Sequence, residues 1–250
     1  MTTTSDQGLS PSTEAHLPDP AAQALDNPAY ASLTGPHAHF AERRGSAVRY
    51  PVDVSPFTAL PALPEGQDWA DLADLVGPGE VVPLAGVGGS PPAGWEIVVQ
   101  LAGVQLVDVG VDATDDEEAL RLKARDAPEM LALVERTQPG PFLPRTIEMG
   151  AYLGIRRGGE LVAMAGERLH PPGWTEISAV CTDAAHRGQG LASRLVRAVA
   201  HGIRQRGETP FMHAAATSTN AIRPDAIRLY ESLGFRLRRT TTFAAARVPE

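Results

Sequence analysis

The stretch WTEISAVCTDAAHRGQGLA, residues 174–192, decides how the rest of the chain is read. Thr175–Thr182 alternates side chains as a strand does, with Glu176, Ser178 and Val180 on one face. From Gln189 to Arg206, Leu191, Leu195, Val196, Val199 and Ile203 fall on one helical stripe, and Gly207 supplies the stop. The loop between them is His186-Arg187-Gly188-Gln189-Gly190-Leu191-Ala192. Glycines at 188 and 190 remove Cβ atoms, so the backbone can approach an anion. The helix that follows offers unpartnered N–H groups and the positive end of its dipole. Strand, glycine loop and helix in that order read as a pyrophosphate cradle.

Regular structure continues on both sides. Upstream, Glu118–Ala124 alternates as a half-buried strand, with Leu120 and Leu122 on one face, and Asp126 and Glu129 form a capping-box-like start for a helix carrying Met130, Leu133 and Val134. Ile147–Arg156 and Leu161–Leu169 read as two strands joined by a tight turn at Arg157-Gly158-Gly159-Glu160. Downstream come a strand at Phe211–Ala216, a helical stripe of Ile222, Ala226, Leu229, Tyr230 and Leu233 closed by Gly234, and a strand from Phe235. The order from Glu118 is β-α-β-β-β-α-β-α-β.

The segments before it are less regular. Residues 1–36 are rich in Ser, Thr, Pro, Asp and Ala without an apolar period and read as a flexible tail. Residues 37–116 read as a small mixed α/β subdomain: a short helix at Asp68–Val76 behind an Asp68 cap, then strands at Glu80–Leu84 and Glu96–Val109. Residues 117–250 form the larger, more regular domain.

Composition narrows the classes. With 250 residues, 43% hydrophobic and 21% charged, the chain is an ordinary globular protein. Ile97–Val107, the longest nearly apolar stretch, is interrupted by Gln100 and Gln105 and is too short to span a bilayer, so no membrane association is expected. MTTTSDQGLS, at residues 1–10, has no secretory pattern, which points to the cytoplasm. The single Cys181 forbids an internal disulfide and leaves zinc without thiolate pairs; no metal is expected. Residues 1–140 carry 7 basic and 21 acidic residues, and residues 141–250 carry 15 and 9, all fifteen basic ones arginine. A basic half on an acidic protein suits a locally bound polyanion, with paired surface charges as the alternative reading; nucleic acid is not expected.

The motif and its flanks resemble the GNAT superfamily of acetyl-coenzyme A-dependent N-acetyltransferases. The superfamily signature R/Q-x-x-G-x-G/A is matched by Arg187, Gly190 and Ala192, and the resemblance extends over roughly residues 117–250, including EISAVCT before the loop and LYESLGF after it. It implies a mixed α/β fold with a mostly antiparallel sheet flanked by helices. It also implies an acetyl-CoA donor, a primary amine acceptor and direct attack in a ternary complex. Gly188, Gln189, Gly190, Leu191 and Ala192 join Arg187 in the coenzyme cradle, and other arginines suit the remaining phosphate. Backbone N–H groups of Val180 and Cys181 map to the acetyl carbonyl. Tyr230 matches the general acid for the thiolate, and Glu176 is placed to receive the amine proton directly or through water. Many relatives have Asn seven residues before the tyrosine; Arg223 stands there, with Asn220 three residues earlier.

Other features read as ordinary structure. Cys181 in a strand is packing, His37-x-His39 lacks a third ligand, and Gly86-Val87-Gly88-Gly89 lacks the Lys-Ser/Thr of a phosphate loop. The alternatives to a small-amine acetyltransferase are a catalytically weak acyl-CoA-binding regulatory module and an enzyme acting on protein N-termini. A homodimer remains open.

Overall fold

The computed structural model describes residues 20–84, 86, 90–215 and 224–250. Its helices are α1 (Pro20–Gln23), α2 (Pro28–Leu33), α3 (Gly66–Val76), α4 (Ala127–Thr137), α5 (Leu191–Gln205) and α6 (Pro224–Ser232). The strands are β1 (Glu42–Arg44), β2 (Ala47–Arg49), β3 (Thr58–Ala59), β4 (Val81–Leu84), β5 (Glu96–Asp108), β6 (Leu120–Arg121), β7 (Tyr152–Arg157), β8 (Glu160–Glu167), β9 (Trp174–Thr182), β10 (Thr209–Ala215) and β11 (Phe235–Arg247). They hydrogen-bond in the order β1-β2-β3-β4-β11-β5-β10-β9-β8-β7-β6. The β9–β10 and β3–β4 pairs are parallel; the other ladders are antiparallel. No helix among the described residues is long and apolar enough to cross a membrane.

Alternation along the central strands assigns the helices to two faces. Leu106 and Met212 pack with Leu195, Val199 and Ile203 of α5, whereas their chain neighbours Val107 and Phe211 pack with Leu25, Ala29 and Leu33 around α2. Met130 and Leu133 of α4 close over Tyr152, Met164 and Cys181 in a further core. The α5 stripe is buried as its spacing predicts, and Cys181 is one of the packed residues.

Several expectations need correction. Residues 20–36 are folded: Asn27 caps α2, Pro28 occupies its first turn, and Leu25, Ala29 and Leu33 are at most 1% exposed. The short helix begins at Gly66, because Asp68 serves as N3 of a capping box with Glu65 and not as the cap. Ile147 belongs to a 3₁₀ turn over Thr146–Met149, and the strand starts only at Tyr152. The strand expected over Glu118–Ala124 is reduced to two residues, with Leu120 half exposed. The boundary placed at residue 116 crosses the sheet, since β5 lies between β10, paired over Gly103–Val107, and β11, paired over nearly its whole length.

Candidate functional site

The glycine loop sits where β9 hands over to α5. Asp183 turns the chain, its carboxylate accepting from the Ala185 N–H at 3.1 Å and its other oxygen meeting Arg136 Nε at 3.0 Å. Gly188 and Gly190 have φ of 76° and 72°, in the left-handed region, and Gly190 is the N-cap of α5. A side chain at either position would meet no neighbour, so glycine is required there by backbone conformation and not by space. Gly190 offers no capping side chain and the first turn of α5 holds no acidic residue. The N–H groups of that turn are therefore open to an external anion, and the loop fits a pyrophosphate.

Beside the loop, two parallel strands part. β9 and β10 pair only over Trp174–Glu176 and Thr209–Phe211; beyond that β10 continues along β5 and β9 along β8. The opening is sharpened by a bulge. Ala179 has φ of 53°, and the β8–β9 register slips between the pairs Gly166–Ser178 and Met164–Cys181. Ile177 and Val180 consequently both pack toward α5, while Ala179 and Cys181 both face α4. A left-handed alanine costs about 1 kcal/mol or more, and such bulges re-aim backbone groups.

The cleft so formed has a volume of about 330 Å³ and brings together Val180, Met212, His213 and Tyr230 with Phe57, Leu101 and Phe243. Tyr230 and Val180 thus line one cleft. Burial pushes the Tyr230 hydroxyl above its ordinary pKa, which keeps it protonated near neutrality. Cys181 does not line the cleft; its side chain is in the α4 core, and burial raises its thiol pKa. Asn220 and Arg223 lie outside the described residues, as does most of the Gly86–Gly89 turn.

Glu176 is 1% exposed at the foot of the cleft, where β9 and β10 are still paired. Arg168 grips both its oxygens, Nε to Oε2 at 2.9 Å and Nη2 to Oε1 at 2.8 Å. His213 donates through Nδ1 to Oε1 at 2.7 Å. Burial opposes ionisation, yet Arg168 and then His213 outweigh it and hold the carboxyl well below the usual range. The tautomer of His213 follows from Gln105. That amide donates to the Leu25 carbonyl at 2.8 Å and accepts from Arg238 Nη1 at 2.9 Å, so the nitrogen 3.1 Å from His213 Nε2 is a donor. The Nδ1 proton faces Glu176 and Nε2 accepts from Gln105, so both ring nitrogens are engaged. Arg168 also stacks on Phe57, 5.0 Å from the ring centre. Arg168, His213 and Gln105 escape a sequence reading because strand register, not spacing, unites them. The polar Gln105 inside an apolar strand was their one visible signal.

The charge asymmetry largely resolves into pairs between the two parts of the chain. Among the described residues, eight of the C-terminal arginines meet acids from residues 1–140. Arg194 meets Asp116 and Glu118, and Arg204 meets Asp108. Arg194 is thereby committed, although it lies on the first turns of α5. Arg187 remains beside the cradle, its Nε 3.4 Å from the Thr182 carbonyl. His37 is buried, 4% exposed, between the Tyr50 hydroxyl at 2.9 Å and the Met149 carbonyl at 3.1 Å. No group of three or more His, Cys, Asp or Glu among the described residues could hold a metal.

The fold recurs in known proteins. A protein assigned to the GNAT family of acetyltransferases in Novosphingobium aromaticivorans is 37% identical, with a TM-score of 0.79 over 90% of this chain and 99% of its own. The chain belongs to the GNAT family. Residues 152–244 also match the family of FR47-like proteins. A GCN5-related N-acetyltransferase from Kribbella flavida, 17% identical, shares the fold with a TM-score of 0.58 over 94% of this chain and 97% of its own. No protein of curated function matches. Phe57 before β3, Pro83 and Leu84 of β4, and Val99 and Leu101 of β5 line one side of the cleft.

Proposed function

We propose that this GNAT-family protein is an acetyl-CoA-dependent N-acetyltransferase that joins the acetyl group to a primary amine by direct attack, with both substrates bound together. The observation that carries this reading is the parting of β9 from β10 directly beside an open, glycine-capped helix N-terminus. Acetyl-CoA would supply a thioester already activated for acyl transfer. The backbone of Arg187–Ala192 holds its pyrophosphate, with the Arg187 guanidinium adding positive charge. The N–H groups beside the bulge, at Val180 and Cys181, hold the acetyl carbonyl and the negative charge that develops on its oxygen.

Tyr230 has the protonation state that an acid for the departing thiolate needs, and it shares the cleft with Val180. Asn220, named from the sequence alone, is assigned to binding the same coenzyme. Glu176 acts through position: its lone pairs are taken by Arg168 and His213, and an already stabilised carboxylate is a poor proton acceptor. The mostly apolar cleft disfavours an ammonium ion, so the amine binds neutral and its proton leaves to solvent at the mouth. The test is a panel of primary amines incubated with acetyl-CoA while free thiol is recorded. Saturable thiol release with at least one amine is expected. Tight acetyl-CoA binding without release for any amine would replace the enzyme with a coenzyme-sensing module.

A further inference from the structure

The acceptor side of the cleft is walled by Phe57, Leu84, Val99, Leu101 and Phe243, all outside the glycine loop and its flanking strand. Such a wall favours an apolar body and penalises a polyamine. Few polar side chains reach the same space. Ser178 and Tyr230 belong to the strand and helix that flank the coenzyme arm, and His213 has both nitrogens occupied. Arg168 differs: Nε and Nη2 are given to Glu176, while Nη1 has no hydrogen bond among the described residues. Phe57 fixes the guanidinium plane from one side.

From this geometry we infer that the acceptor is an apolar amine bearing a neutral oxygen acceptor, such as an amide carbonyl, and that Arg168 Nη1 selects it. The inference rests on the acetyl-transfer reading of the same cleft. Glu176 cancels the charge of Arg168, so the pair lines the cleft with an N–H donor and no net positive field. A carbonyl oxygen suits that donor. A carboxylate would lose its hydration to a pair that is neutral overall, with too little attraction in return. Selection of this kind is strong because a bound ligand without the oxygen would cover Nη1 and give it no partner in place of water.

Calorimetric titration of the full chain separates the cases with three probes of equal ring size: phenylalaninamide, phenylalanine and 2-phenylethylamine. Phenylalaninamide is expected to bind at least ~10-fold more tightly than either of the others. In Arg168→Lys, which keeps a cation for Glu176 but removes Nη1, amide and amine should come within ~2-fold of each other. The wild-type comparison stands alone if that variant fails to fold. Equal affinities for amide and amine, a preference for phenylalanine, or no binding of any probe would overturn the assignment. Thiol release from acetyl-CoA is recorded with the same probes. Selective binding without release removes the acetyl-transfer reading and leaves the acceptor class; release without selectivity removes the acceptor class alone.

Discussion

Arg168 and Glu176 face each other across the β8–β9 connection as a two-pronged pair, and their backbones are joined as well, Arg168 N–H to Glu176 C=O at 3.0 Å. A buried pair of this kind is costly to break on one side only. Glu176→Gln is expected to lower unfolding free energy by about 3–5 kcal/mol in urea titration. Its deficit in acetyl transfer should not change between about pH 7 and 9, since the native carboxyl is ionised throughout. A deficit that shrinks toward the amine's own pKa would return to Glu176 the role of proton acceptor.

Gly190→Asp should abolish stabilisation by acetyl-CoA in a thermal shift. The substitution forces a side chain onto a backbone with φ of 72° and sets a carboxylate at the helix N-terminus. Gly190→Ala carries only the conformational part and is expected to retain weakened binding. Equal shifts for wild type and Gly190→Asp would remove the cradle.

Tyr230→Phe keeps the ring and its contact with Phe235, whose centre lies 6.4 Å away. Coenzyme binding should survive while kcat falls by about 10² to 10⁴, the usual contribution of one positioned acid. Unchanged kcat would transfer the proton to another donor.

The central architecture was legible in the sequence because its signals are local. The α5 stripe, the glycine loop and the turn at Gly158-Gly159 each depend on a few adjacent residues. The α2 helix was hidden by its composition, although Asn27-Pro28 is a capping signal and Leu25, Ala29 and Leu33 are spaced by four. Arg168 and His213 could not be found that way. His213 meets Gln105 through the β5–β10 register, over a hundred residues away along the chain.

Deletion tests the folded N-terminal residues. A chain beginning at Pro20 is expected to match the full chain in its urea midpoint, because residues 1–19 have the composition of a tail. One beginning at His37 strips Leu25, Ala29 and Leu33 from the core and removes the Gln105–Leu25 hydrogen bond. That should cost at least about 4 kcal/mol, from roughly 1.5–3 kcal/mol for each buried leucine and less for the alanine. Equal midpoints for the two would show that α2 contributes nothing to the fold.

His37 gives acid sensitivity a location. Burial, then the neighbouring His170, pushes its pKa down to about 3, so the unfolded chain binds a proton between pH 6.5 and 3 that the native state does not. Its contribution is fully present above pH 6.5 and is lost as pH falls, by up to about 1.4 kcal/mol per pH unit. His37→Gln keeps a donor for the Met149 carbonyl and does not titrate. Urea unfolding from pH 7.5 to 4.5 should show a shallower slope in that variant; identical slopes would place the sensitivity elsewhere.

The seat of β5 between β10 and β11 sets a timetable for biosynthesis. Glu96–Asp108 leaves the ribosome with neither lateral neighbour yet made, since Thr209–Ala215 and Phe235–Arg247 both come later in the chain. At ~5–20 residues per second, the residues between β5 and β11 mean a wait of roughly 6 to 25 s. During that interval the nascent chain carries an unpaired strand with Ile97, Val99 and Leu101 available to other chains. Correct maturation of this protein therefore depends on what shields that strand until β11 arrives.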